Sequence, residues 1–312
     1  MEMPAPEVRT ELADGIARLV LSRPRAINAL SPEMMHTISV ALDSWLADGA
    51  VQAIEIHGEG ERGFCAGADV RAIRQLVLGE PQAAVGFFRE EYGVNEKIAT
   101  SPKPITSYLH GISMGGGLGL ALHCQRIEAA DNLQLAMPEV GIGLFPDVGI
   151  TWQLAHAPGQ TGIWLAMTGT TIDLATARYM GLVPGASTTV PEPVEGTWID
   201  ECFDGNDPAQ ILGRLESHSD QRARDCATVI RTKSPWSVCV ALEAVRRAEE
   251  MSGVSEVLAQ DLILATHFVE DSDFVEGVRA QLVDKDRNPR WRHGRVEDVP
   301  RELVLAMFAQ KS

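Results

Sequence analysis

Positive charge is scarce in this sequence. Its 27 lysines and arginines stand against 43 aspartates and glutamates, for a formal net charge of −16. Such a surface repels nucleic acid and anionic lipid, which argues against both as partners. It also repels an anionic small ligand at long range, so any such ligand must be held by a local basic patch or by backbone amides. No apolar run approaches the roughly 20 residues of a membrane helix. The N-terminal stretch Met1 to Leu12 carries Glu2, Glu7 and Glu11 against Arg9 alone. It therefore lacks both the basic start and apolar core of a secretory signal and the Arg-rich, acid-poor character of a mitochondrial presequence. The expectation is a cytoplasmic protein. The five cysteines, Cys65, Cys124, Cys202, Cys226 and Cys239, are odd in number and form no CxxC. This argues against a disulfide framework or a zinc site, and no metal is expected. Internal repeats and low-complexity tracts are also missing.

What is present alternates between two periodicities. Ile16–Leu21 reads as a strand. Ser31-Pro32-Glu33 then reads as an N-cap, a proline at the first helical position and an acid in the first turn. Met35, Ile38, Leu42, Trp45 and Leu46 follow on one helical face. Ala53–His57 is a second strand, and helices are expected over Arg71–Leu78 and Gln82–Ala99. Ile105–Leu109 reads as a buried strand, Gly115–Leu122 as a helix, and Arg126–Ala129 and Leu133–Ala136 as short strands. Alternation of this kind indicates an α/β layered fold. After Pro184-Gly185 and a connector over Thr188–Gly196, the chain reads as helices: Pro208–Ser217, Gln221–Thr232, Ser234–Met251 and Val254–Glu270. The expected division is 1–190 and 191–312, within about ten residues, because boundaries are the least legible feature of a sequence.

Three segments carry chemistry. Gly63-Phe64-Cys65-Ala66-Gly67-Ala68-Asp69 is built of small residues that let a ligand approach the backbone. Within it, Cys65 reads as a small buried apolar residue. His110 to Gly119 (HGISMGGGLG) follows a strand and opens a helix. Glycines at a helix N-terminus leave N–H groups aimed outward, able to hold a developing oxyanion. Met137 to Gly149 (MPEVGIGLFPDVG) places Glu139 and Asp147 among apolar neighbours, where carboxyl pKa values rise and acid–base work becomes possible. His110 and His123, flanking the glycines, read as packed residues.

CAGAD, HGxxxGGGLGL and AMPEVGIGLFPD in this order resemble the crotonase (enoyl-CoA hydratase/isomerase) superfamily over roughly residues 8–185, and more weakly beyond. The resemblance implies a spiral of ββα units with a helical C-terminal region. It also implies an acyl-CoA substrate whose thioester oxygen rests between the N–H groups of Ala68 and Gly116. The hydratases of that superfamily use two glutamates. One matches Glu139; the other falls where this chain has Gly119. The 3-hydroxyisobutyryl-CoA hydrolase group also lacks the first glutamate. This chain shares with that group Phe87 to Tyr92 (FFREEY), Met114 to Gly117 (MGGG) and Gly143 to Gly149 (GLFPDVG). Phe274 to Ala280 (FVEGVRA) and Asp284-Lys285-Asp286, with Pro289 and Trp291, are similar to it as well. Two departures stand out: the group often has glycine where Ala68 lies, and the stretch from Gly185 to Glu201 is shorter than the group's.

By that resemblance the reaction is thioester hydrolysis. Glu139 acts on the acyl carbon as a base toward water or as a nucleophile. Asp147 binds the acyl 3-hydroxyl or positions Glu139 and water, and Glu91 contacts the hydroxyacyl end. No cofactor is expected; coenzyme A, as part of the substrate, lies along Arg25, Ala26 and Asn28, with Ala66 and Asp69 opposite. Arg23 and Arg25 offer local positive charge. Pocket size is expected to depend on Phe87, Met114, Leu144 and Phe145 and on the C-terminal helices. Relatives in the superfamily form trimers or dimers of trimers, so a homo-oligomer is expected. Hydration or isomerisation of another acyl-CoA, with Glu139 and a different partner, is the competing reading, followed by non-catalytic acyl-CoA binding.

Overall fold

The computed structural model describes residues 6–185 and 189–310. Its first sheet contains strands β1 (Val8–Ala13), β2 (Ile16–Leu21), β3 (Ala53–Gly58), β4 (Ile105–Leu109) and β6 (Arg126–Ala129), hydrogen-bonded in the order β1-β2-β3-β4-β6. β1 and β2 are antiparallel, and the later pairs are parallel. A second sheet joins β5 (Ile112–Met114), β7 (Gln134–Ala136) and β8 (Ile172–Asp173). Single bridges Cys65↔Ser113 and Leu30↔Ala68 extend this second layer. The chain thus repeats one move. A strand enters the first sheet, a short extended piece enters the second layer, and a helix returns. After β2 and Leu30 comes α1 (Pro32–Ala47). After β3 and Cys65 come α2 (Val70–Gly79) and α3 (Pro81–Ala99). After β4 and β5 comes α4 (Gly116–Ala121). This is the α/β spiral of ββα units.

The start of α1 is as read from the sequence: Ser31 Oγ accepts from the Met34 N–H at 3.2 Å. The hairpin β1–β2 was not anticipated. VRTELA is polar because only Val8 is buried in this edge strand. The Asp14-Gly15 turn, with both residues at positive φ, is the local signal for it. The short helices α5 (Ile150–Ala155), α6 (Thr161–Thr168), α7 (Leu174–Tyr179) and α8 (Trp198–Phe203) were also unread. In α6 every residue is buried, so no polar stripe marks a period.

The helices α9 (Pro208–Ser217), α10 (Gln221–Arg231), α11 (Pro235–Ala248) and α12 (Val254–Phe268) match the expected helical stretch to within a few residues. α13 (Ser272–Val278) and α14 (Arg301–Ala306) complete it. Thr188, at the start of the expected connector, lies outside the described residues. α11 packs on α5 and α6, α12 on α3, and α13 on α2, so the helical region reaches back to the layered part on the side of the glycine segments.

Candidate active site

The two small-residue segments meet because β5 and the bridge at Cys65 lie side by side: Cys65 N–H donates to Ile112 O, and Met114 N–H to Cys65 O. α4 then starts at Gly116. Among the described residues, the N–H groups of Ala68 and Gly116 have no protein acceptor. They sit close together, since a methyl group built on Gly116 would lie 3.4 Å from Ala68 N. The same methyl would overlap Glu91 Oε1, so only glycine fits there while Glu91 stays in place. Gly115, at φ +50, takes a backbone conformation that other residues resist, and its missing side chain leaves room for Glu139 Oε1.

Three carboxyls converge on these donors. Glu91 comes from the buried face of α3, which also carries Phe88, Tyr92 and Asn95. Glu139 opens a 3-10 turn, Glu139–Ile142, directly after β7. Asp147 lies in the loop leading to α5, and its Oδ2 accepts from the Tyr92 hydroxyl at 2.7 Å. With Ala66, Gly67, Ala68, Gly115 and Gly116 they line a cavity of about 220 Å³, closed by Phe88, Ile142, Leu144, Phe274 and Leu282. Glu91 Oε1 and Glu139 Oε2 are buried without a hydrogen-bond partner. Unpaired oxygens of this kind on a cavity wall suit a site completed by its ligand. The described carboxyls do not converge as a metal-binding set.

Burial raises Glu91 well above the ordinary carboxylate range, and the charge of Asp147 adds to this. Burial likewise raises Glu139, followed by the charges of Asp147 and Glu91. Asp147 is pushed up to about 6 by burial, against the Tyr92 hydrogen bond that favours its ionised form. A carboxyl raised on folding favours the folded state while it stays protonated. That contribution is complete below its unfolded pKa of about 4 and is lost as pH rises toward the folded value. Ionised Asp147 therefore burdens the fold above pH 6. We expect Asp147→Asn to raise the melting temperature at pH 8 by a few degrees, since one pKa unit is worth ~1.4 kcal/mol. At pH 4 the gain should vanish. Scanning calorimetry at both pH values checks this; a variant less stable than wild type at pH 8 would overturn it.

The expected ligand-binding turn is only partly available. Arg25 and Ala26 are exposed on a 3-10 turn, Pro24–Ala26, and no acid pairs with Arg25 among the described residues. Arg23 is engaged by Asp69, Glu7 and Ala29 O. Asn28, expected at the ligand, turns its polar groups into the protein. It is fully buried, its side-chain amide donates to the carbonyls of Glu59 and Phe64, its N–H donates to Arg23 O, and its carbonyl accepts from Cys65 Sγ. It holds the turn against the CAGAD segment. Asp69 is engaged in the same way: its N–H goes to Leu30 O, one carboxylate oxygen to Arg23 and the other to the Ala72 N–H as the cap of α2. Ala66 gives its N–H to Ile27 O, so what it can offer a ligand is its carbonyl. Of the residues expected to set pocket size, Leu144 lines the cavity. Phe87, Met114 and Phe145 do not, and Phe88, Phe274 and Leu282 take their place.

Gly119 has a neighbourhood of its own. A Cβ there would lie 2.7 Å from Asn95 Nδ2 and 2.8 Å from Val148 Cβ. The space a second glutamate would need is filled by these two side chains. Cys65 is fully buried, and burial pushes its thiol up to about 12, so it is a packing residue. His110 is half-buried and hydrogen-bonded to Gly60 O.

The sequence profile described as enoyl-CoA hydratase/isomerase matches residues 16–192 and 185–308. The rat protein named "3-hydroxyisobutyryl-CoA hydrolase, mitochondrial" is 32% identical over 329 residues, covering 93% of this chain and 85% of the relative. The Arabidopsis thaliana protein named "3-hydroxyisobutyryl-CoA hydrolase 1" is 33% identical, covering 97% and 91%. Among solved structures, a carnitinyl-CoA dehydratase from Mycobacterium thermoresistibile superposes with a TM-score of 0.92 at 35% identity, covering 98% of this chain and 97% of that one. An enoyl-CoA hydratase from Rhodobacter sphaeroides 2.4.1 gives 0.90 at 35%, covering 98% of each. No described helix is long and apolar enough to cross a membrane.

Proposed function

The chain belongs to the enoyl-CoA hydratase/isomerase family, and from that premise we propose that it hydrolyses the thioester of 3-hydroxyisobutyryl-CoA to 3-hydroxyisobutyrate and free coenzyme A. The observation that carries this reading is the exchange of acids around Gly119. Where a hydratase needs a second glutamate, Asn95 and Val148 fill the space, and Glu91 and Asp147 enter the cavity instead.

In this reading the thioester oxygen accepts from the Ala68 and Gly116 N–H groups, which stabilise the charge that develops on attack. Glu139, facing Gly115, either removes a proton from the attacking water or attacks the carbonyl carbon itself and forms a mixed anhydride that water then opens. The carbon–sulfur bond breaks and coenzyme A leaves as the thiol. Asp147 and Glu91 take the acyl hydroxyl end. Arg25, Ala26 and the Ala66 carbonyl meet the coenzyme A portion, which the substrate itself brings. Placement in valine breakdown, a cytoplasmic location and a homo-oligomeric state, trimer or dimer, belong to the same proposal.

A second reading, addition of water to an enoyl-CoA, draws support from the descriptions of the two superposed structures. One experiment separates them: thiol release from 3-hydroxyisobutyryl-CoA, followed beside loss of the crotonyl-CoA double bond. Thiol release with little hydration is the expected result. Hydration without thiol release would replace the hydrolase reading by the second one.

A further inference from the structure

Behind the cavity, one peptide group is gripped at both ends. Val148 has φ +55, a left-handed conformation that a β-branched residue strongly resists, and Gly149 follows at φ +78. The peptide between them presents its carbonyl to His123 Nε2 at 2.6 Å and its N–H to Asp261 Oδ2 at 2.8 Å. His123 is buried at the end of the segment that begins with α4, and Asp261 is buried in the middle of α12. A carbonyl only accepts, so His123 carries its proton on Nε2. Its Nδ1 is then free to accept from Gln153 Nε2 at 3.1 Å, which fixes the tautomer. Burial lowers the His123 pKa and keeps the ring neutral. The missing side chain of Gly149 lets His123 and Leu258 close in. The residue just before this peptide is Asp147, whose carboxyl points to Tyr92 and the cavity.

We infer that Asp261 and His123 are positioning residues: by holding both poles of the Val148–Gly149 peptide they prevent it from flipping and keep the Asp147 carboxyl on Tyr92 and in the cavity. The inference rests on the hydrolase reading for its kinetic consequence, but its geometric content stands apart from it. The groups that face Asp261 and Asp147 electrostatically are Tyr92, Glu91 and Glu139. Burial, together with the charge of Asp147, raises Asp261 well above the ordinary range. An asparagine there therefore reproduces a neutral acceptor.

The test compares Asp261→Ala, Asp261→Asn and Asp261→Ala/Val148→Gly with wild type. A catalytic group displaced by an ångström typically costs ~10² in rate, so kcat for thiol release should fall about a hundredfold in Asp261→Ala. Asp261→Asn, which still accepts from the Gly149 N–H, should recover most of the loss. Val148→Gly should restore part of the rate in the alanine background, because glycine takes the left-handed conformation without being held. A residue that mattered only for packing would not be rescued by deleting a second buried side chain. A titration of Asp147 by carboxyl NMR needs no substrate and reports the same geometry: its pKa should rise in Asp261→Ala as the Tyr92 bond loosens, and stay near the wild-type value in Asp261→Asn. An unchanged kcat and an unchanged Asp147 titration in Asp261→Ala would overturn the inference, as would an asparagine variant as impaired as the alanine one. Should wild type release no thiol, the hydrolase reading fails, and the titration alone then decides whether the peptide is held.

Discussion

Replacing Glu139 by glutamine is expected to cut thiol release from 3-hydroxyisobutyryl-CoA by about 10²–10⁴-fold, the range of a lost general base. Glutamine keeps the volume and one acceptor oxygen, so the cavity walls should stay where they are. What disappears is a carboxylate able to take a proton or attack carbon. Burial and the neighbouring acids raise Glu139 well above the ordinary range, which makes its ionised form a strong base. The wild-type rate should therefore climb with pH as that proton leaves, and the variant's residual rate should lose this dependence. Glu139→Asp tests distance separately: it retains the carboxylate but withdraws it by one methylene, and a loss of about 10² is expected from misplacement alone. Steady-state kcat measured across pH on the three proteins decides the matter. A glutamine variant with near-wild-type rate would remove Glu139 from the reaction.

Gly116→Ala is expected to lower kcat by about 10²–10³-fold, the cost typical of losing one oxyanion donor. The cause is local: the new methyl overlaps Glu91 Oε1. Either α4 withdraws, taking the Gly116 N–H out of line with that of Ala68, or Glu91 is driven from its buried position. A double-mutant cycle distinguishes this clash from a general defect. Glu91→Ala opens the space the methyl needs, so Gly116→Ala should do little further harm in that background, and the two losses should be far from additive. Additive losses would mean that the methyl acts by some route other than Glu91.

Much of this was legible in the sequence because the relevant signals are local. Ser31-Pro32 sets the start of α1, and the glycine run at 115–117 leaves the free N–H of Gly116. Glu139, Asp147 and Glu91 meet in one cavity. The sequence shows less where the partners of a backbone position decide its use. Asn28 follows the Pro24–Ala26 turn and Asp69 ends the CAGAD segment, and the polar groups of both fasten one segment to the other. No periodicity reveals which way such a group turns. Tyr92 stands within FFREEY, but only the fold shows its hydroxyl on Asp147. Asp261 carries a signal in the sequence: an acid inside the apolar helical stretch VLAQDLILA is uncommon, and burial there demands a partner. Phe88 replaces Phe87 on the cavity wall because a one-residue change of phase on α3 is below what a sequence pattern resolves.

The cavity's last wall comes late in the chain. Phe274 and Leu282 close it. α13 is seated by Gly277 against the Ile142 backbone and by Gly143 against Asp273, and Arg74 and Arg71 bind the carbonyls of Val275 and Leu282. In chain order the donors and the three acids, all within residues 68–147, come well before the piece that closes the cavity. A chain truncated before Phe274 is expected to open those acids to solvent, where carboxyls keep their ordinary acidity.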